Sequence, residues 1–167
     1  DKDIALMAHL MRRAGFGARR DELEAYAAKG YEQAVDDLLN PERFPEVEED
    51  VLQRYYSTKG GPSGRWYHRM VNTERPLHEK MVIFWHQLFA TGVSKVDNWD
   101  EIDDMLDLFR EKGMDSYRDL LLEVAKSPAM IYWLDNNENH ADAVNENWGR
   151  ELLELFSMGV GNYTEVD

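Results

Sequence analysis

Apolar residues recur three and four apart through almost every segment of this 167-residue chain, and nowhere do they alternate over the length of a strand. Three-and-four spacing lines one face of a helix, whereas a half-buried strand needs a period of two. The chain is therefore read as all-α: a multi-helix, orthogonal or bundle-like domain of about eight to ten helices. Hydrophobic residues make up 43% of it, enough to give those helices a core. The length suits one helical domain over 1–167.

Helix boundaries follow from glycine, proline and capping residues. Residues 3–14 read as a helix stopped by Gly15-Phe16-Gly17, where glycines admit left-handed backbone and Phe16 can fold back onto the core. Its His9, Arg12 and Arg13 break an otherwise apolar surface; the two arginines read as partners for nearby carboxylates, with anion binding as the alternative. Residues 20–29 and 31–39 form a helix pair split by Gly30, and Asn40-Pro41 closes the second. A short helix is expected over roughly 46–56, and TKGGPSG at 58–64 reads as a flexible loop, the best place for a lid or hinge. Helices follow over 65–74, 76–90, 97–112, 117–125 and 128–134. Asp97 or Asn98 can cap the third of these. Its Asp100, Glu101, Asp103, Asp104 and Asp107 read as a solvated helix start.

Two polar constellations stand out against this apolar pattern. The denser one lies in residues 130–158, read as helix, polar loop, helix. In the second helix Trp148, Leu152, Leu153, Leu155 and Phe156 share one side with Asn145, while Glu146, Arg150 and Glu154 make a stripe of solvated ion pairs opposite. Asn145, Glu146 and Asn147 crowd its first turn, where side-chain oxygens can accept from unpaired backbone N–H groups. In the preceding loop, Asp135, Asn137, Asn139 and Glu146 fall on positions 1, 3, 5 and 12 of a calcium-loop pattern. Position 6, which should be glycine, is His140, and position 8, commonly aliphatic, is Asp142. The competing reading is a loop whose Asn and Asp side chains bond their own backbone.

The second constellation is on the helix over 76–90. Glu79 and His86 form a polar seam on an apolar helix, with Cα atoms about 10 Å apart, so a third group must come between them. Arg69, Arg75 and Arg150 are candidates for a buried hydrogen-bond network. Glu146, Arg150 or Glu151 from another helix would instead complete a metal-assisted site. Neither the Glu-x-x-His pair of di-iron bundles nor HExxH is present.

Composition excludes several classes. A formal charge of −14 argues against nucleic acid and anionic membranes as partners. With no cysteine there is no disulfide, thiolate catalysis or zinc–sulfur site. No apolar run approaches the roughly 20 residues of a membrane span.

Three stretches together, HLMRRAGFG at 9–17, PLHEKMVIFWHQLF at 76–89 and YWLDNNENHADAVNENWGRELLELFSMGVGNYTEVD at 132–167, resemble the bacterial "domain of unknown function 1800" family. The resemblance spans almost the whole chain. It implies a longer all-α protein, of which this is the N-terminal part, and an exported or periplasmic setting. Thr164-Glu165-Val166-Asp167, spaced like a helix N-cap, fits a fragment that continues. The family brings no settled activity. Three functions are therefore expected in turn: a non-enzymatic assembly or interaction domain, whose partner is protein (the missing C-terminal half or another subunit); a metal-assisted enzyme built on Glu79, His86, Arg150 and Glu151; and a domain stabilised by Ca2+ at 135–146.

Overall fold

Nine α-helices occupy the described residues of the computed structural model, which are 2–48, 61–164 and 166. They are α1 Lys2–Ala14, α2 Arg20–Lys29, α3 Tyr31–Leu39, α4 Gly61–Asn72, α5 Pro76–Leu88, α6 Trp99–Lys112, α7 Tyr117–Lys126, α8 Pro128–Trp133 and α9 Asn147–Glu154. Two 3-10 turns, Pro41–Arg43 and Asn136–Glu138, complete the described elements. No strand occurs among the described residues; His140 and Ala143 make an isolated bridge. No described helix is long and apolar enough to cross a membrane.

Most boundaries fall where glycine, proline and caps place them. Asn98 caps α6 by accepting from the Asp100 N–H, and Ser116 caps α7 by accepting from the Asp119 N–H. Three expectations need correction. Residues 61–64, read as the end of a flexible hinge loop, form the first turn of α4, where a proline lacking its N–H costs little. Residues 46–48, expected to open a helix, are irregular; 49–60, the rest of that helix and the start of the loop, lie outside the described residues. The last helix is shorter than 145–158. It ends at Glu154, and the Gly159 N–H closes back onto the Leu153 carbonyl at 3.0 Å.

By its internal contacts the chain divides into two compact units, Asp1–Ile83 and Phe84–Asp167, with the boundary inside α5. In the first unit α1 packs on α2 and α2 on α3. Met7 and Met11 of α1, Leu23 of α2, and Ala34 and Leu38 of α3 form its buried core. Full burial of each large side chain is worth about 1.5–3 kcal/mol. Gly15 is buried, and a Cβ there would lie 2.9 Å from Pro76 Cβ, so its glycine lets the start of α5 approach the end of α1. Only Gly17 of the Gly15-Phe16-Gly17 stop is left-handed, with φ 92°. Phe16 does not fold into the core: it stays 40% exposed, with Lys80 Nζ 5.4 Å from its ring centre.

In the second unit α6 packs on α7 and α8. Ile102, Met105, Leu106 and Phe109 of α6 are buried with Leu120 and Val124 of α7 and Ala129 and Met130 of α8. Phe89 lies at the centre of an aromatic group, 6.1 Å from Phe109, 6.3 Å from Tyr117 and 4.8 Å from Phe156 between ring centres.

Candidate functional site

The polar stretch begins where α8 stops. A helix leaves its last carbonyls without partners inside the helix. Here the chain turns away through Asp135, whose φ of 57° makes it the one described non-glycine residue in the left-handed region. Side chains from elsewhere in the unit satisfy the carbonyls this leaves. Lys95 Nζ donates to the Trp133 carbonyl and to Asp135 Oδ2, both at 2.7 Å. Asn145 Nδ2 donates to the carbonyls of Leu134 at 3.2 Å and Asp135 at 2.8 Å. Asn147 Nδ2 adds a 3.3 Å bond to the Leu134 carbonyl.

The same asparagines also start α9. Asn145 Oδ1 accepts from the Asn147 N–H at 2.8 Å, while the Asn145 N–H is taken by Asn139 Oδ1 at 3.2 Å. Arg150 Nη2 donates to Asn147 Oδ1 at 2.7 Å. One amide therefore donates to the end of one helix and accepts from the start of the next. A carboxylate at 145 could do only the second and would repel the carbonyls it replaced a donor for. Each neutral bond contributes about 0.5–1.5 kcal/mol net. The half-exposed Lys95–Asp135 pair contributes at most about 1 kcal/mol.

On α5, Glu79 is only 3% exposed, and its Oε1 lies 3.7 Å from Arg69 Nη1. It also sits in the first helical turn, where the dipole favours a carboxylate. His86 is half-buried, and burial holds its pKa below the ordinary histidine value, so the ring is neutral at pH 7. Beside it, Trp85 Nε1 donates to the Gly113 carbonyl at 2.7 Å and the indole stacks on Tyr117 at 5.6 Å. A Cβ on Gly113 would come within 2.7 Å of Trp85 Cδ1, so only glycine admits the indole. Phe156 links this segment to α9, with its ring 4.8 Å from Phe89 and 5.8 Å from Trp148.

The model of the family described as "Protein of unknown function (DUF1800)" matches residues 9–167. The chain belongs to the DUF1800 family. No curated protein and no solved structure matches it.

All three motif stretches of this DUF1800 chain lie in the matched range, and each has a structural reading: the closure of α1, the Trp85 contact with Gly113, and the asparagine clasp at 133–150. Of the four oxygen side chains on the calcium pattern, Asp135 is engaged by Lys95 and Asn139 by Asn136 and Asn145. Asn137 and Glu146 are exposed. The left-handed residue stands at position 1 of the pattern, not at position 6. Among the described residues no three His, Asp or Glu side chains gather as a metal site.

Glu79 belongs to the first unit, and Glu146, Arg150 and Glu151 to the second. Of the arginines suggested for Glu79, Arg69 is the one beside it; Arg75 donates to the Phe44 carbonyl and to Glu46, and Arg150 to Asn147. The expected Glu146–Arg150–Glu154 ion pairs do not form: Arg150 turns to Asn147, and Glu154 accepts from Tyr163 OH at 3.2 Å. Arg12 and Arg13 are exposed and form no ion pair among the described residues, contrary to the expected carboxylate partners. Lys95 was not legible as a site residue. It is a lone base in the non-helical ATGVSKVDN stretch, held by a turn in which the N–H groups of Lys95 and Val96 both donate to the Gly92 carbonyl.

Proposed function

We propose that this DUF1800 chain is a non-enzymatic helical module that works by assembly with another protein, in the exported or envelope-associated setting its family resemblance implies. One contrast carries the reading. Several of the polar side chains that could do chemistry are spent on the chain itself, Glu79 on Arg69, Asp135 on Lys95, and Asn145 and Asn147 on backbone carbonyls. Large apolar side chains, meanwhile, remain on the surface, including Tyr67 and Val71 one turn apart on α4 at 67% and 81% exposure. Leu155 and Val160 of the second unit are likewise exposed, at 59% and 74%.

A photo-crosslinking residue placed at Val71 or Val160 in cells tests this. The reading expects a discrete adduct of one mass at one of these sites, lost on substituting a neighbouring apolar side chain, and none at exposed, polar Arg20. Absence of adducts at both, or equal adducts at Arg20, contradicts it.

A metal-assisted enzyme is the second reading. The neutral imidazole of His86 favours it, because a neutral ring can act as ligand or base. Elemental analysis of the purified protein, with His86→Ala as control, separates the two: stoichiometric metal lost in the variant would replace the first reading. Calcium at Asp135, Asn137, Asn139 and Glu146 would have to compete with the Lys95 ammonium for Asp135.

A further inference from the structure

The first unit holds a half-open cleft of about 980 Å³ between the end of α1, α2, the stretch after α3, and α4. Four aromatic rings line it: Phe16, Tyr26, Phe44 and Tyr67. That volume is at the upper end of ordinary ligand sites, which combine aromatic and apolar walls with placed polar groups; here Arg19, Glu22, Thr73 and Glu74 supply the polar part of the wall. Phe16 and Tyr67 are exposed, so part of the apolar lining faces solvent.

The charges in the wall are unequal in their engagement. Arg19 is paired with Asp21 at 3.1 Å, and Glu22 accepts from the Arg19 N–H at 2.6 Å in the cap of α2. Glu74 has no such tie. It is exposed, lines the cleft, and forms no hydrogen bond or ion pair among the described residues. The Tyr26 hydroxyl nearby is pushed up chiefly by burial, with smaller contributions from the carboxylates of Glu22, Asp37 and, least, Glu74. Two rings of the wall already face ammonium groups of the chain, Phe16 under Lys80 at 5.4 Å and Tyr26 under Lys29 at 5.9 Å. The lining thus has apolar rings that accept cations on their faces and one uncompensated carboxylate.

We propose that this cleft seats a segment of a partner protein that presents an aromatic side chain beside a lysine or arginine. The ring enters among Phe16, Phe44 and Tyr67, and the cation meets Glu74. The proposal rests on the assembly reading and gives it a place and a partner chemistry.

The test titrates the full chain, labelled with nitrogen-15, with two blocked tripeptides, acetyl-Lys-Trp-Lys-amide and acetyl-Glu-Trp-Glu-amide. The Lys peptide should bind at least about ten-fold more tightly, with amide shifts concentrated near Phe16, Phe44 and Tyr67. Glu74→Gln should bring the two peptides within about three-fold of each other. Tyr67→Ser should weaken both about five-fold or more. Both substitutions are at exposed positions, so folding is not at stake, and the spectrum of each variant verifies it. Equal binding of the two peptides, no binding at millimolar concentration, or shifts confined to residues after 84 would overturn the proposal. So would self-association of the chain through this cleft in the absence of peptide. If the peptides fail while adducts persist at Val160, the cleft is wrong and the assembly reading stands; if both fail, both fall.

Discussion

Asn145 shows why an amide, rather than a carboxylate or hydroxyl, stands in the polar loop. It must donate twice, to the carbonyls of Leu134 and Asp135, and accept once, from the Asn147 N–H. Lys95 supplies the remaining donor, and its ammonium takes up the Asp135 charge. Lys95→Met should therefore lower stability by about 1–2 kcal/mol, at most about 1 of it from the half-exposed pair and the rest from the bond to the Trp133 carbonyl, and the pair's share should shrink in high salt. Chemical denaturation at two ionic strengths measures this. A loss of several kcal/mol would mean that Lys95 does more than the pair and the carbonyl bond describe. His86 makes a separate prediction. Its folded pKa lies below the unfolded value near 6.5, so the unfolded chain binds the proton more readily. The stability that depends on a neutral ring is complete above that value and falls as the pH drops below it. His86→Gln should flatten the dependence of the melting temperature on pH between about 7.5 and 5. An unchanged slope would assign that dependence to the carboxylates.

At the scale of helices, the sharpest dependence is between α5 and the end of α6. Gly113→Ala forces a methyl against the Trp85 ring and the Phe109 carbonyl, so it should cost about 1–3 kcal/mol by overpacking. Trp85→Phe removes the indole bond to Gly113 and should make Gly113→Ala less costly than in the parent chain. Equal costs in both backgrounds would mean that the two residues do not act together. Local signals made much of this level legible: Gly30, Asn98, Ser116 and Pro128 mark boundaries because caps and prolines act within a turn of themselves. Residues 61–64 escaped, because a glycine–proline run reads as loop whether or not a helix starts inside it. The clasp was half legible. Asn145 and Asn147 announced a helix start, but their second task, closing α8, depends on carbonyls ten and more residues back and on Lys95 some forty residues away. Spacing along the chain does not encode such distant partners.

Across the whole molecule, charge is distributed unevenly. Phe84–Asp167 carries eighteen Asp and Glu against six Lys and Arg, a net −12 of the chain's −14. Such an excess stabilises the soluble state and weakens the compact one by self-repulsion. Raising sodium chloride from about 20 mM to 500 mM, which shortens the screening length several-fold, should raise the melting temperature, and chiefly for signals from the second unit, such as Trp85 and Trp148 fluorescence. A fall would mean that favourable ion pairs dominate. The asparagine signature holds the end of α8 and the start of α9 together. Its most direct test is the melting temperature of Asn145→Asp, with and without millimolar calcium. Trading two donors for a charge that faces carbonyls should cost about 2–3 kcal/mol, a drop of about 5–10 °C that calcium does not restore. Parental stability in Asn145→Asp, or full recovery on adding calcium, would contradict the clasp and return the loop to the metal-binding reading.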